Sequence, residues 1–155
     1  MLNRLLPRQV DNTYHGYQLA LWLFALVVFM KIPISLNSIF NGRMVASSAD
    51  GIPLDTFTPA GAQAVVSLFA AWGLSQFIIC SLCILVLARY RALVPFMFGL
   101  LLVEHLSRRL IFLVMPIVRT GTPPGVYVNL SLFALMIIGL VLSLWSRGHH
   151  RRQES

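Results

Sequence analysis

Four long apolar stretches, separated by short polar ones, dominate the pattern of this chain. Each approaches or exceeds the roughly 20 residues that an α-helix needs to cross the hydrocarbon core of a bilayer. Thr58 followed by Pro59, and Pro95 further on, are signals for helix starts. The pattern predicts an all-α integral membrane protein, a single domain over 1–155 in which four transmembrane helices form an antiparallel bundle. The predicted helices cover about residues 18–40, 61–87, 95–118 and 126–145, with a loop at 41–60 and a polar tail at 146–155.

Composition leads to the same class of protein. Of the 155 residues, 57% are hydrophobic and only 11% are charged, whereas soluble domains carry roughly 25% charged residues. The net charge of +7 would suggest nucleic acid as a partner of a soluble protein, but here the arginines flank apolar stretches. Such arginines orient a membrane protein and contact anionic headgroups. We therefore expect membrane lipids as partners and no nucleic acid.

The distribution of arginines predicts the orientation. Seven arginines fall on one side of the predicted membrane, and Arg43 and Arg119 fall on the other. Because arginine-rich loops stay in the cytoplasm, both termini are predicted to be cytoplasmic, and the loop at 41–60 faces the opposite, outer side. We expect the protein in a bacterial inner membrane. The seven are Arg4, Arg8, Arg89, Arg91, Arg147, Arg151 and Arg152.

The third apolar stretch carries a polar cluster near its middle, formed by Glu104, His105, Arg108 and Arg109. At about 100° per residue, these four fall within a sector of roughly 140° on one helix face. Glu104 and Arg108 also form an acid–base pair one helical turn apart. An ionised group at bilayer depth costs at least about 2.5–3.5 kcal/mol. The cluster therefore points to a protein interior, a watery cavity or a ligand.

Polar residues of the other stretches fall at compatible depths. Aligning the midpoints of the stretches at about 1.5 Å per residue places Lys31 and Gln76 near the depth of the cluster, and Asn129 closer to the outer end. We therefore predict one binding pocket that opens outward. Its residues are Lys31, Gln76, Glu104, His105, Arg108, Arg109 and Asn129.

The charges of this predicted pocket do not balance. Its three cations face Glu104 alone, and buried charges have to be paired. A carboxylate, a lipid phosphate or a quinone oxygen would match the donors of an arginine, and so would Asp50 or Asp55 if the outer loop folded back. The leading hypothesis is binding of a small anionic or amphipathic ligand, such as a lipid, a quinone or an organic acid. Translocation of that ligand is an open extension of the hypothesis.

Three alternatives use the same residues differently. Glu104 or His105 could act as acid or base in a membrane-embedded enzyme that acts on a lipid or a quinone. The charged face could instead pair with a second copy of the chain or with another membrane protein, as in a non-catalytic subunit or assembly factor. Glu104 could also serve only to fix the helix register, by pairing with Arg108 or Lys31.

Two further signals favour structural roles. Cys80 and Cys83 have the spacing of a redox pair, but they fall in the cytoplasmic half of the second stretch, without a second cysteine pair. We expect them to be small core residues. The predicted interior offers one histidine and one carboxylate, so no metal site is expected. No cofactor is predicted, apart from a quinone or lipid as the ligand itself.

Overall fold

The computed structural model describes residues 12, 14 and 16–145, which are helical between short connections and contain no β-strand. The all-α prediction is therefore confirmed for this part of the chain. Short helical turns also occupy part of the predicted outer loop, at Gly42–Met44, Val45–Ala49 and Leu54–Thr56, and another turn, Arg91–Leu93, precedes the third long helix. The four long helices are α1 (Gln18–Phe40), α2 (Pro59–Arg89), α3 (Val94–Val114) and α4 (Pro124–Leu144).

Three of the long helices, α1, α2 and α4, are long and apolar enough to cross a membrane. This supports the prediction of a membrane protein. Helix α3 is not among them, although its 21 residues would extend about 31 Å. Glu104, Arg108 and Arg109 interrupt its apolar sequence. Of the four predicted spans, three are therefore supported, and the fourth coincides with a long helix that carries charges.

Helix boundaries show which start and stop signals operate. Thr58 is the N-cap of α2: its Oγ1 accepts a hydrogen bond at 3.2 Å from the backbone N–H three residues on, and Pro59 begins the helix, as predicted. Helix α3 ends at Val114, four residues earlier than the predicted end near residue 118. Pro116 has no N–H to continue the helical bonding and disfavours helical backbone in Met115. Met115 accordingly leaves the helix, with φ −122° and ψ 79°.

Helices that follow one another in the chain run antiparallel, and the first and last helices contact each other at one end of the bundle. At the start of α1, the Tyr17 N–H donates to the backbone oxygen of Leu142, near the end of α4, at 3.4 Å. The hydrophobic core lies in the half of the bundle nearest the α2–α3 connection. There the rings of Phe24 and Phe98 meet edge to face with centroids 5.0 Å apart. A Cβ on Gly139 would collide with the Phe98 ring, so α3 and α4 pack closely at this level.

Helices α1 and α2 make the most extensive contact in the molecule. Gly73 allows it, because a Cβ at this position would lie 2.8 Å from the backbone oxygen of Ser35 and 2.8 Å from the Cβ of Ser38. At this distance the backbone of α2 at Gly73 packs directly against α1, which favours dispersion contacts between the two helices. The contact lies one helical turn from Lys31 on α1 and one turn from Gln76 on α2.

The loop at 41–60, named the outer loop after its predicted side, is held against the α3–α4 connection. Thr120 donates to the backbone oxygen of Gly51 twice, through its N–H at 2.9 Å and through its Oγ1 at 3.2 Å. Gly51 has φ +71°, a left-handed backbone conformation that favours glycine. Gly125, in the first turn of α4, faces the backbone oxygen of Ala49, and a Cβ there would be 2.5 Å away. These contacts fix the intervening Asp50 over the outer end of the bundle.

The predicted polar tail at 146–155 lies outside the described residues, and so do five of the arginines that predict the orientation: Arg4, Arg8, Arg147, Arg151 and Arg152. Four arginines of that prediction are described. Arg89 and Arg91 lie at the α2–α3 connection, whereas Arg43 and Arg119 lie at the outer end. The two ends of the described bundle therefore each carry two of them.

Candidate functional site

A buried ionic network joins α1, α2 and α3. Lys31 Nζ donates to Gln76 Oε1 at 3.0 Å and lies 3.5 Å from Glu104 Oε2. Arg108 Nη1 lies 3.5 Å from the other carboxylate oxygen, Oε1 of Glu104. The Lys31 side chain is only 8% exposed, and Glu104 Oε2 is buried and accepts no hydrogen bond from any described residue. The carboxylate therefore lies between two flanking cations.

The sequence places this network beside the close contact of α1 and α2. Lys31 lies one turn before Ser35 on α1, and Gln76 lies one turn after Gly73 on α2. Because the two helices are antiparallel, the Ser35–Gly73 contact brings Lys31 and Gln76 side by side. Helix α3 runs parallel to α1, and its Glu104 reaches the same level.

A cavity of about 320 Å³ lies between the outer halves of α2, α3 and α4, under the outer loop. This volume is near the lower end of the roughly 300–1,000 Å³ of small-molecule sites. The lining combines polar and apolar groups in the way that such sites do. The polar residues are Asp50, His105, Arg108, Arg109, Arg119 and Asn129, and the apolar ones are Leu68, Phe69, Trp72, Ile111, Phe112 and Val126.

Aromatic rings orient two polar side chains of the lining. The His105 ring stacks on Phe133 with centroids 5.0 Å apart and planes 17° apart. Arg108 Cζ lies 4.9 Å from the centroid of the Trp72 ring, a cation–π geometry. Arg108 Nη2 is also 3.5 Å from His105 Nδ1. Since Arg108 contacts Glu104 as well, it connects the ionic network to the cavity.

Arg109 and Arg119 give the cavity its surplus positive charge. Neither forms an ion pair or a hydrogen bond with another described residue, although Arg119 Cζ lies 5.6 Å from the Phe112 ring centroid. Asp50 is the one carboxylate among the described lining residues. Burial raises the pKa of Asp50, and the positive charges of Arg119 and Arg108 oppose that rise. Counting the ionic network as well, four cations face two carboxylates.

The predicted site residues separate into two connected groups. Four of them line the cavity: His105, Arg108, Arg109 and Asn129. The other three, Lys31, Gln76 and Glu104, lie outside the lining and form the ionic network. The prediction of a single pocket therefore changes to a cavity with a charged network behind one of its walls, joined through Arg108.

The sequence patterns do not identify Arg119 or Trp72 as lining residues, and they assign Asp50 only a conditional part. Arg119 enters the prediction of orientation alone, and Trp72 lies in an apolar stretch without a polar neighbour pattern that marks it. Asp50 was considered as part of a folded-back lid, and it does line the cavity. The turn sequence around Gly51 was the available signal, but it does not reveal the bond to Thr120 that brings these parts together. Asp55, the other aspartate considered, is instead on the surface, 3.7 Å from Arg43.

Cys80 and Cys83 are free thiols in the hydrophobic core. Both are almost completely buried, which agrees with the predicted role of small core residues. Within the described ranges, no three His, Cys, Asp or Glu residues come together in a group that could hold a metal ion. The chemistry of the site therefore rests on arginine, histidine, amide and carboxylate groups.

No protein-family model matches the sequence, and comparisons with curated proteins and with solved structures found no similar protein. The function of this chain therefore has to be inferred from the chemistry of the site and not from similarity to known proteins. The site supplies oriented cations, an apolar wall and a volume suited to a small group.

Proposed function

We propose that this protein binds a small anionic or amphipathic molecule in the outer cavity. The observation that carries this proposal is the surplus positive charge of the lining, where Arg109 and Arg119 form no ion pair with any described residue. Guanidinium groups keep their charge in proteins and present a fork of donors that fits carboxylate and phosphate oxygens. An anion in the cavity would offset the cost of holding these charges together.

The lining suggests a division of roles. Arg109 and Arg119 hold the anionic group, while Arg108 is kept in place by Glu104 and contributes its charge. His105 and Asn129 offer further polar contacts, and the apolar wall receives the rest of the ligand. Lipids, quinones and organic acids all carry oxygen atoms that these donors recognise.

We further propose that α3 is a fourth membrane-spanning helix, with both termini cytoplasmic, in a bacterial inner membrane. Two contacts support an even number of crossings: Tyr17 meets Leu142 at one end of the bundle, and Gly51 meets Thr120 at the other. The charges of α3 are also partly screened from lipid, because Glu104 and Arg108 are largely buried in the ionic network. The orientation rests on the distribution of arginines in the whole sequence, because the described ones divide equally between the two ends.

Labelling of introduced cysteines tests this topology. A cysteine in place of the exposed Asp55 should react with a membrane-impermeant maleimide in intact cells. A cysteine in place of Arg91 should react only after the membrane is permeabilised. Reaction of both in intact cells would contradict the proposed orientation. The native cysteines are buried and should contribute little signal.

Native mass spectrometry tests ligand binding. Protein purified in mild detergent is examined for retained small molecules and then titrated with sulfate and with dodecanoate as probes. Arg109→Gln removes an arginine that has no carboxylate partner to orphan, so the fold should persist while the adducts are lost. Arg43→Gln is the matched control, because Arg43 is an outer-side arginine beside exposed Asp55, outside the cavity.

Each outcome of this titration decides the proposal. Adducts in the wild type and in Arg43→Gln, but not in Arg109→Gln, support an anion site in the cavity. Equal adducts in all three proteins, or none in any of them, would refute it. Flux into proteoliposomes then measures whether binding leads to translocation.

A further inference from the structure

The cavity is lined by charged residues, and it is also open on its side. Leu68 on α2 and Ile111 on α3 both line it, and they are also 69% and 56% exposed. These two helices are joined at Tyr90, and elsewhere their backbones approach each other at few positions, although the side chains of Trp72 and Arg108 meet between them. Their outer halves therefore leave a gap between them. In a bilayer, this gap faces the hydrocarbon chains of the lipids.

The outer end of the cavity is more obstructed than its side. The loop carrying Asp50 crosses it, held by the two hydrogen bonds from Thr120 to Gly51 and by the close approach of Ala49 to Gly125. Asp50 also places a carboxylate at this end. A ligand with an apolar chain would meet fewer obstacles between α2 and α3 than through the loop.

The two arginines without an ion-pair partner lie toward the outer end of α3 and beyond it. Arg109 is five residues before the end of α3, which corresponds to about 7.5 Å along the helix. Arg119 lies beyond that end, in the α3–α4 connection. Basic pockets between membrane helices are known binding sites of anionic headgroups. The cavity volume of about 320 Å³ accommodates a headgroup and a short length of chain, but not a chain of membrane length.

We propose that the ligand is an amphiphilic anion of the membrane, with a carboxylate or phosphate headgroup on Arg109 and Arg119 and an apolar chain that leaves the cavity between Leu68 and Ile111. This inference rests on the proposed function, because it names the ligand class for the same cavity. It adds the direction of entry, which is lateral, from the bilayer.

Tryptophan quenching tests this inference. The chain has three tryptophans, so the double variant W22F/W145F leaves Trp72, a lining residue, as the only one. It is reconstituted in phosphatidylcholine nanodiscs that contain dibromostearate, at a pH where the carboxylate is ionised, or brominated phosphatidylcholine of equal bromine content. The bromine atoms quench only a tryptophan that the chain contacts. Trp22, which is 75% exposed, serves in W72F/W145F as a reporter of ordinary lipid contact.

We expect dibromostearate to quench Trp72 several-fold more strongly than the brominated phosphatidylcholine does, and to quench Trp22 no more strongly. Arg109→Gln in the same background should remove this preference. Ile111→Gln should weaken it by placing an amide in the path of the chain. Leu110→Gln is the matched control, since Leu110 is the preceding residue and 61% exposed but does not line the cavity.

The outcomes separate this inference from the proposed function. Equal quenching of Trp72 by both lipids would overturn the amphiphile, while sulfate adducts lost in Arg109→Gln would leave the anion site standing. A preference for dibromostearate that survives Arg109→Gln would also overturn it, because the headgroup would lie elsewhere. Loss of the preference in Ile111→Gln but not in Leu110→Gln would support lateral entry.

Discussion

Lys31 on α1 and Glu104 on α3 form an ion pair inside the bundle, with Nζ 3.5 Å from Oε2. The same ammonium donates to Gln76 on α2, so the pair ties together three helices. Removing one member of a buried pair leaves the other charge uncompensated, which is more costly than removing both. The pair is therefore both a structural tie and a constraint on which substitutions the bundle tolerates.

This relationship predicts the stability of variants of the pair. Glu104→Gln should lower the free energy of unfolding by about 3 kcal/mol, as expected when a buried ion pair is broken, because Lys31 and Arg108 both lose their carboxylate. The double variant Lys31→Met, Glu104→Gln should recover part of that loss, because one of the two uncompensated cations is removed as well. Thermal unfolding in detergent measures both. Strictly additive losses would show that the two residues are not coupled.

A second prediction concerns the close contact of α1 and α2. Gly73→Ala would place a Cβ 2.8 Å from the backbone oxygen of Ser35, so the helices have to separate. We expect a loss of about 1–3 kcal/mol, typical of overpacking, with weakening of the adjacent Lys31–Gln76 hydrogen bond. Ala71→Val, which adds volume at an exposed position of the same helix, is the control. Equal melting temperatures of the two variants would contradict the prediction.

Two glycines allow the loop above the cavity to be tested with a built-in comparison. Gly51 and Gly121 both have φ +71°, but a Cβ on Gly51 would lie 3.2 Å from the backbone oxygen of Thr120, whereas a Cβ on Gly121 meets nothing within 4 Å. Both alanine variants should lose about 1–2 kcal/mol for the left-handed backbone. Gly51→Ala should lose more and should also alter ligand affinity, because Asp50 moves. If Gly121→Ala changes affinity equally, the loop contact is not what positions Asp50.

Asp50 should give anion binding a pH dependence. Burial raises its pKa above 3.8 in spite of Arg119 and Arg108, and the titratable groups that share the cavity with it are His105 and Arg109. As the pH falls through this raised pKa, the carboxyl becomes neutral and the lining gains net positive charge. Sulfate, which stays ionised, should therefore bind more tightly at lower pH. In Asp50→Asn the affinity should be high throughout, and any remaining pH dependence belongs to His105.

The raised pKa of Asp50 also determines how the stability of the fold changes with pH. A carboxyl whose pKa is higher in the folded protein contributes stability below its unfolded pKa and loses it as the pH rises through the folded one. At neutral pH, ionised Asp50 therefore destabilises the folded protein. Asp50→Asn should raise the melting temperature at neutral pH and leave it unchanged in strong acid. A lower melting temperature at neutral pH would mean that its attraction to Arg119 outweighs burial.

Cys80 and Cys83 are expected to be inert. Because both side chains are almost fully buried in the core, a soluble maleimide should label them only after the protein unfolds. Replacement of both by alanine should cost stability through the lost packing volume and leave anion binding unchanged. Rapid labelling of folded protein, or loss of binding in the double variant, would revive a redox or ligand role for the pair.

Depth along a helix could be predicted from the sequence, whereas direction around the bundle could not. Aligning segment midpoints placed Lys31, Gln76 and Glu104 at one level, and the structure brings them within hydrogen-bond or ion-pair distance. Height alone does not tell which side chains share a cavity, because that depends on how each helix is rotated. For this reason Asn129 and Lys31, predicted for one pocket, lie in different groups.

The rest of the site depends on long-range loop contacts, which local sequence patterns do not predict. Arg119 joins the cavity because the α3–α4 connection is bonded to Gly51, far away in the chain. The early end of α3 has a local cause, and Pro116 was a visible signal for it. The charged residues of α3 likewise marked it as unusual. The sequence could show that this helix is special, but not that Trp72 would cover one of its arginines.

The two walls of the cavity differ in how firmly they are held. On one side, α2 is locked to α1 beside Gly73. On the other, residues 111–118, the outer end of α3 and the segment after it, are all exposed. Segments with few buried contacts open at a smaller free-energy cost than the rest of a fold. Backbone amides near Ile111 should therefore exchange their hydrogens sooner than those near Gly73. Entry of a ligand into the cavity would then need only a local fluctuation of one helix end.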